Sequence, residues 1–207
     1  MKSDTNTCLA ELKEAVHQLC LRKGWGVDGV QNPQHVAVAM TVEMLELLEV
    51  FGKAREAGQE ALSPRQLAEA AEEMADVTMY GLQLAYTLNI DLARGISPQA
   101  SDDTTPLAEL KRLAGKGGGD CFAQAMLLAA DSRFVAEAFQ WMNPPEVSAL
   151  QAGQCPQVQA EIARAFEKLF RRMLQLADTL AIDLSGEVSR KISIVDRRVS
   201  LENDPVR

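Results

Sequence analysis

Four carboxylates arrive in two pairs. Glu43 and Glu46 stand three residues apart within HVAVAMTVEMLELLEVF, and Glu73 and Asp76 stand three apart within PRQLAEAAEEMADVTMYGLQLAYTL. On a helix, residues at this spacing share a face. If the two segments are helices packed antiparallel, as their lengths and connection suggest, the pairs meet across the interface as a four-carboxylate pocket. Four like charges in one pocket repel strongly, and a hard divalent cation such as Mg²⁺, which prefers oxygen ligands, resolves that repulsion. Most acid pairs at this spacing only decorate a solvated face, which is the reading for Glu49, Glu69 and Glu72. Glu43 and Glu46 differ, because Val42, Met44, Leu45, Leu47 and Leu48 surround them and leave no broad polar face. A carboxylate-bridged di-iron centre is a rival use of four acids, but such centres carry Glu-x-x-His pairs. Here Glu46 and Asp76 stand where histidine would be.

Those acids need helices to hold them, and the chain is written for helices. Its 207 residues are 47% hydrophobic but only 5% aromatic, with Ala, Leu, Glu and Gln abundant, which favours helix over sheet and argues for an all-α fold. Leu9, Leu12, Val16 and Leu19 predict a first helix over 7–22, stopped by Gly24 and Gly29. Pro33 opens a second helix that is apolar nearly all round, the pattern of an element buried on several sides. Ser63-Pro64 opens a third, ending at Asn89. The polar stretch SPQASDDTTP over 97–106 reads as a linker. Beyond it come a short helix at LAELKRLAG and three more over 120–142, 156–181 and 184–199, the last carrying Arg190, Lys191, Arg197 and Arg198. Between the first two of these four, Gly115-Lys116-Gly117-Gly118-Gly119 lacks the order and the leading strand of a phosphate loop and reads as a flexible connector.

The formal net charge of −8 argues against broad electrostatic binding to nucleic acid polymers or anionic membranes. Cys8, Cys20, Cys121 and Cys155 form no C-x-x-C pair and read as reduced thiols. Only His17 and His35 are available, too few for a histidine-rich zinc site, so any metal chemistry rests on carboxylates. The N-terminal residues have no apolar run of signal-peptide length, which points to a cytoplasmic protein.

The chain also repeats itself. QLAYTLNIDL at 83–92 returns as QLADTLAIDL at 175–184, differing only at Tyr86/Asp178 and Asn89/Ala181, which indicates an internal duplication. Aligning ELLEVF, from Glu46 to Phe51, with FVAEAF, from Phe134 to Phe139, places Asp131, Phe134, Ala165 and Lys168 opposite the four acids. The second set cannot hold a metal.

The order Pro33, Glu43-x-x-Glu46, Glu73-x-x-Asp76-Val77 and LNIDL resembles the all-α nucleoside triphosphate pyrophosphohydrolases, the MazG-like superfamily, and NPQHVAVAMTVEMLELLEVF most resembles their dCTP pyrophosphatase branch. Residues 107–200 resemble a degenerate second copy, with AEAFQW and VSRKISIVDRR its familiar parts. The resemblance implies a helical bundle of two tandem repeats forming a covalent pseudo-dimer: a repeat with intact acids over 8–96, a linker over 97–106 and a degenerate repeat over 107–200 that completes the bundle. It implies Mg²⁺, with Mn²⁺ as a substitute, held by Glu43, Glu46, Glu73 and Asp76, and hydrolysis of a nucleoside triphosphate between the α and β phosphates in house-cleaning of the nucleotide pool. Glu46 would also be the catalytic base. Trp25, Tyr80, Trp141, Lys191, Arg197 and Arg198 would contact substrate, with Val195 where the family pattern has asparagine. A homodimer of fused pseudo-dimers is a further expectation. The competing expectation is a non-catalytic helical nucleotide sensor or partner-binding module descended from such an enzyme.

Overall fold

The computed structural model describes residues 2–202, with side chains through residue 198. Among them the chain is all helical: α1 (Leu9–Lys23), α2 (Pro33–Glu56), α3 (Pro64–Thr87), α4 (Leu92–Ile96), α5 (Leu107–Ala114), α6 (Cys121–Gln140), α7 (Pro144–Gln151), α8 (Pro156–Thr179) and α9 (Leu184–Glu202). No described helix is long and apolar enough to cross a membrane, and all four cysteines are free thiols.

The expected helices form, their ends displaced by no more than a turn, and their boundaries follow from caps. Asn32 accepts from the Gln34 N–H ahead of Pro33, Ser63 and Gln66 close a reciprocal capping box at α3, and Asp120 accepts from the Ala123 N–H at α6. Two short helices were not expected. Asp91 caps the five residues of α4, and Asn143 with Glu146 forms a capping box that starts α7 at Pro144. Apolar periodicity is weak in pieces this short, so the caps define them.

The helices pack in matched pairs. α2 lies on α3 and α6 lies on α8; α1 lies on α3 and α5 lies on α8. Between the halves, α9 packs on α3 and α4 packs on α8, while α2 and α6 pack on each other. Each helix that follows the returning segment therefore rests on the other half. The segments themselves adopt the same backbone: Asn89 and Ala181 take left-handed φ of 52° and 54°, and the Ile90 and Ile182 N–H groups close back on the Ala85 and Ala177 carbonyls at 2.9 Å in both cases. Asparagine tolerates that conformation, whereas alanine pays roughly 1–2 kcal/mol for it.

The packing exposes a second echo in the sequence. LAELK occurs at 9–13 and again at 107–111, and both copies do the same work. Lys13 donates to the Ile90 carbonyl (3.2 Å) and pairs with the Asp103 carboxylate, while Lys111 donates to the Ile182 carbonyl (2.6 Å) and pairs with the Asp4 carboxylate. Asp103 accepts from the Ala93 N–H and Asp4 from the Ser185 N–H, each at 2.8 Å. Asp4 thus reaches from the N-terminal side to the second half, and Asp103, from the 97–106 stretch, back to the first. Residues 97–106 carry no helix but are no loose tether, since Ser97, Ala100 and Asp103 are buried.

A single apolar core runs through both halves, with Phe51, Phe139 and Phe166 among its fully buried side chains. Gly81 sits in mid-helix because a Cβ there would come within 2.7 Å of the Phe170 ring, so the glycine sets how closely α3 approaches α8. α2 departs from the all-round burial that its composition suggested. Val36, Met40, Met44, Leu47 and Phe51 face inward, but Val38, Val42 and Leu45 are exposed.

Candidate functional site

The two helices with acid pairs do pack on each other, and three of the four acids meet. Oxygen atoms of Glu43 on α2 and of Glu73 and Asp76 on α3 lie within 4.8 Å of one another; Glu43 and Glu73 are half-buried and Asp76 lies deeper. Glu46, one turn further along α2, is exposed and lies outside this trio. Its charge still reaches the others, raising the pKa of Glu43 and Glu73.

Crowding shows in the protonation of the site. Burial first, and then the charges of Asp76, Glu46 and Glu43, push Glu73 up from 4.5 to about 7. Glu43 is raised by burial and by Asp76 and Glu46, an effect partly offset by a hydrogen bond from Glu73. Without a cation, then, Glu73 is about half protonated near neutrality, and its proton can be donated to Glu43. Asp76 is also raised by burial, although Lys191 offsets part of the rise. Carboxylates remain this close when one of them keeps a proton or when something positive is near.

Part of that positive charge comes from the other half of the chain. Lys191, on α9, places its ammonium 2.5 Å from Asp76 Oδ2 and 2.9 Å from Glu72 Oε1. Burial alone would lower the Lys191 pKa, but hydrogen bonds to Asp76 and Glu72 raise it. Glu72 therefore belongs to the site and not to a solvated face, because α9 covers that side of α3. Arg190 reaches the same carboxylate at 3.9 Å. Glu49 and Glu69 are surface partners of Lys53 and Arg65, each at 2.8 Å.

Tyr80, one turn beyond Asp76, is half-buried, and burial followed by the charges of Glu43 and Asp76 raises its hydroxyl pKa. It joins the site. The remaining expected contacts are more dispersed. Trp25 lies exposed in the loop after α1, where its N–H closes that helix on the Cys20 carbonyl. Trp141 ends α6 almost wholly in solvent. Arg197 and Arg198 are exposed on α9; Arg197 donates to the Ser193 carbonyl one turn back, and the charge of Arg198 lowers the pKa of Glu72. Val195 packs against the core. On the flank away from Lys191, a polar cleft of ≈ 580 Å³ opens between α2 and α3, with Glu46 and Glu73 on its wall beside Lys53, Ser63 and Arg65.

The counterpart positions in the second half show a different solution. Asp131 is 3% exposed and pairs with Lys168 Nζ at 2.7 Å and with the Arg172 guanidinium. The Phe134 ring lies under the Lys168 ammonium at 5.5 Å. One buried carboxylate with two cations has no surplus negative charge for a metal. In the first half, three clustered acids, with Glu72 and Glu46 beside them, share one buried ammonium. The trio is all hard oxygen, with no imidazole or thiolate, and that donor set fits Mg²⁺ or Mn²⁺. No family model, curated protein or solved structure matches the chain.

Proposed function

We propose that the chain is a Mg²⁺-dependent nucleoside triphosphate pyrophosphohydrolase of the MazG-like kind, built from two fused copies of which only the first keeps its acids. The observation that carries this reading is the trio of Glu43, Glu73 and Asp76, three oxygens within 4.8 Å on two packed helices beside a buried ammonium. The matched helix pairs and the reciprocal Asp4 and Asp103 clasps support the fusion. Glu43, Glu73 and Asp76 would hold the cation, with Glu46 able to join from the cleft wall. A bound divalent cation offsets phosphate charge and acidifies a water molecule. Glu46, the most solvated of the four acids, is the base that takes the proton as water attacks the α phosphorus and the bond to the pyrophosphate oxygen breaks. The α2–α3 cleft would receive the phosphate chain, Tyr80 would line the sugar side, and Lys191, on the other flank, would hold the Asp76 carboxylate in position.

The test is pyrophosphate release from a panel of ordinary and modified nucleotides with Mg²⁺ or Mn²⁺. Release is expected, and Glu43→Gln and Asp76→Asn should abolish it with helicity intact. A panel that yields no pyrophosphate with either metal overturns the enzyme reading. Val195, in the place of the family's asparagine, favours the second reading, a nucleotide sensor or partner-binding module. Calorimetric titration separates the two, because a sensor binds nucleotide without turnover.

A further inference from the structure

Of the two aspartate clasps, only that of Asp4 lies at the start of a helix that reaches the acids. α9 begins at Leu184, and its first N–H groups have no acceptors within the helix. Asp4 supplies them: its Oδ2 accepts from the Leu184 N–H at 3.3 Å and its Oδ1 from the Ser185 N–H at 2.8 Å. Asp183 Oδ1 takes the next, the Gly186 N–H, at 3.3 Å and also accepts from the Asp4 N–H at 2.9 Å. The Asp4 carbonyl accepts from the Ala108 N–H in the first turn of α5 (2.8 Å), and its carboxylate pairs with Lys111. Asp4 is 8% exposed. Burial pushes its pKa up, but hydrogen bonds from Lys111 and Ser185 outweigh that and hold it below the ordinary carboxylate value. One buried, charged side chain, 180 positions from Leu184 in the sequence, thus fixes where α9 begins.

We infer that Asp4 is a positioning residue for the acid site: by fixing the first turn of α9 it sets Lys191 against Asp76 and Glu72. In so far as that site is catalytic, the inference rests on the function proposed above. Lys191 lies six residues beyond Ser185, less than two helical turns and about 9 Å along the axis. Its ammonium reaches Asp76 Oδ2 at 2.5 Å and Glu72 Oε1 at 2.9 Å from a side chain only 12% exposed. Beyond it α9 is held again, where Lys23 pairs with Asp196 at 3.2 Å and donates to its carbonyl at 2.5 Å. Lys191 therefore lies between two anchors. The Asp196 carboxylate is half-exposed, so the buried Asp4 is the firmer of the two. The matching clasp leads elsewhere. Asp103 accepts from the Ala93 N–H at 2.8 Å and pairs with Lys13, but the helix it starts, α4, has 5 residues and packs on α8. Its one cation, Arg94, donates to the Ser101 carbonyl.

The test is acetylation of Lys191 in the full chain by limiting acetic anhydride, without metal or nucleotide, read by peptide mass spectrometry in Asp4→Ala and Asp103→Ala. Loss of Asp4 leaves the first N–H groups of α9 without acceptors, so that turn frays and Lys191 labelling should rise at least severalfold. Asp103→Ala, which loses the matching pair, should stay near the wild-type level. Pyrophosphate release should fall roughly tenfold or more in Asp4→Ala but not in Asp103→Ala, because Asp76 is then misplaced. A merely structural loss raises labelling equally in both variants and overturns the inference, as does wild-type labelling in Asp4→Ala. Should Asp4→Ala unfold, the wild type in mild urea decides: Lys191 labelling and exchange of the Ser185 amide hydrogen should rise together, ahead of the buried amides of α2, and separate onsets overturn the inference. A wild type that releases no pyrophosphate fails the enzyme reading alone; a labelling difference between the variants then still supports Asp4 as the residue that sets Lys191 against Asp76.

Discussion

Replacing Glu73 by glutamine is expected to make the metal-free protein more stable at alkaline pH while removing its response to divalent cations. Glu73 sits at about 7 instead of 4.5 because burial and three neighbouring acids oppose its ionised form. A carboxyl whose folded pKa lies above its unfolded one binds more protons in the folded state. The protein therefore loses stability as pH rises from 4.5, and the loss is complete above about 7. A shift of this size corresponds to about 3 kcal/mol if none of it is screened. The site is half-open to water, and screening reduces the expected cost to about 1–2 kcal/mol, or about 2–8 °C in Tm for a chain of this length. Thermal denaturation in EDTA near pH 5 and near pH 8 measures it. The wild type should be less stable at the higher pH and recover there with Mg²⁺, whereas Glu73→Gln should lose less between the two pH values and ignore Mg²⁺. If Glu73→Gln is less stable than the wild type near pH 8 in EDTA, the acids are not repelling one another and the electrostatic reasoning fails.

Lys191→Gln should destabilise the metal-free protein by about 3 kcal/mol near neutrality, because Asp76 loses its buried partner; urea denaturation should show the deficit shrinking toward pH 5 as the clustered acids gain protons. In the second half, Arg172→Met leaves buried Asp131 with Lys168 alone and should cost about 3 kcal/mol, a loss that added Mg²⁺ does not recover in the same assay. Asp4→Ala and Asp103→Ala should each cost about 3 kcal/mol, and equal chemical-denaturation deficits would show that the two clasps are equivalent. Gly81→Ala drives a methyl group toward the Phe170 ring and should cost about 1–3 kcal/mol through overpacking, seen as a lowered Tm without loss of helicity.

The helices and the meeting of acids were legible because both depend on local spacing. Apolar residues at helical intervals, Pro33, Ser63-Pro64 and the i, i+3 acid pairs specify segment, start and face without reference to anything distant. What stayed hidden was set by the second half. Glu72 reads as a solvated acid until α9 lies on α3 and Lys191 meets it, and nothing near residue 72 announces a partner 119 positions away. The separation of Glu46 from the trio depends on how α2 and α3 are rotated against each other, which spacing leaves open. Two signals were within reach. NPPE at 143–146 has the form of a capping box, and LAELK occurs twice at 9–13 and 107–111; searching for the second repeat would have marked Lys13 and Lys111 as counterparts.

On the fusion reading, the position of the join explains why only one site keeps its acids. α4 and α9 follow the same returning segment and pack on α8 and α3 of the other half, yet α4 has 5 residues and α9 has 19. After Ile96 the chain must turn back to place Asp103 against Lys13 and to start α5, so α4 cannot run along α8 as α9 runs along α3. The acids of the first half therefore receive Lys191 from the longer α9, whereas the counterpart site takes its cations, Lys168 and Arg172, from α8 itself. Acids kept there would have been buried without a countercharge, at a cost of several kcal/mol per ion. Replacement of the third and fourth acids by Ala165 and Lys168, with Arg172 turned onto Asp131, removes that cost from within α6 and α8. On that reading, the asymmetry of the two halves goes with the different lengths of α4 and α9, which let only α9 reach the acids of the other half.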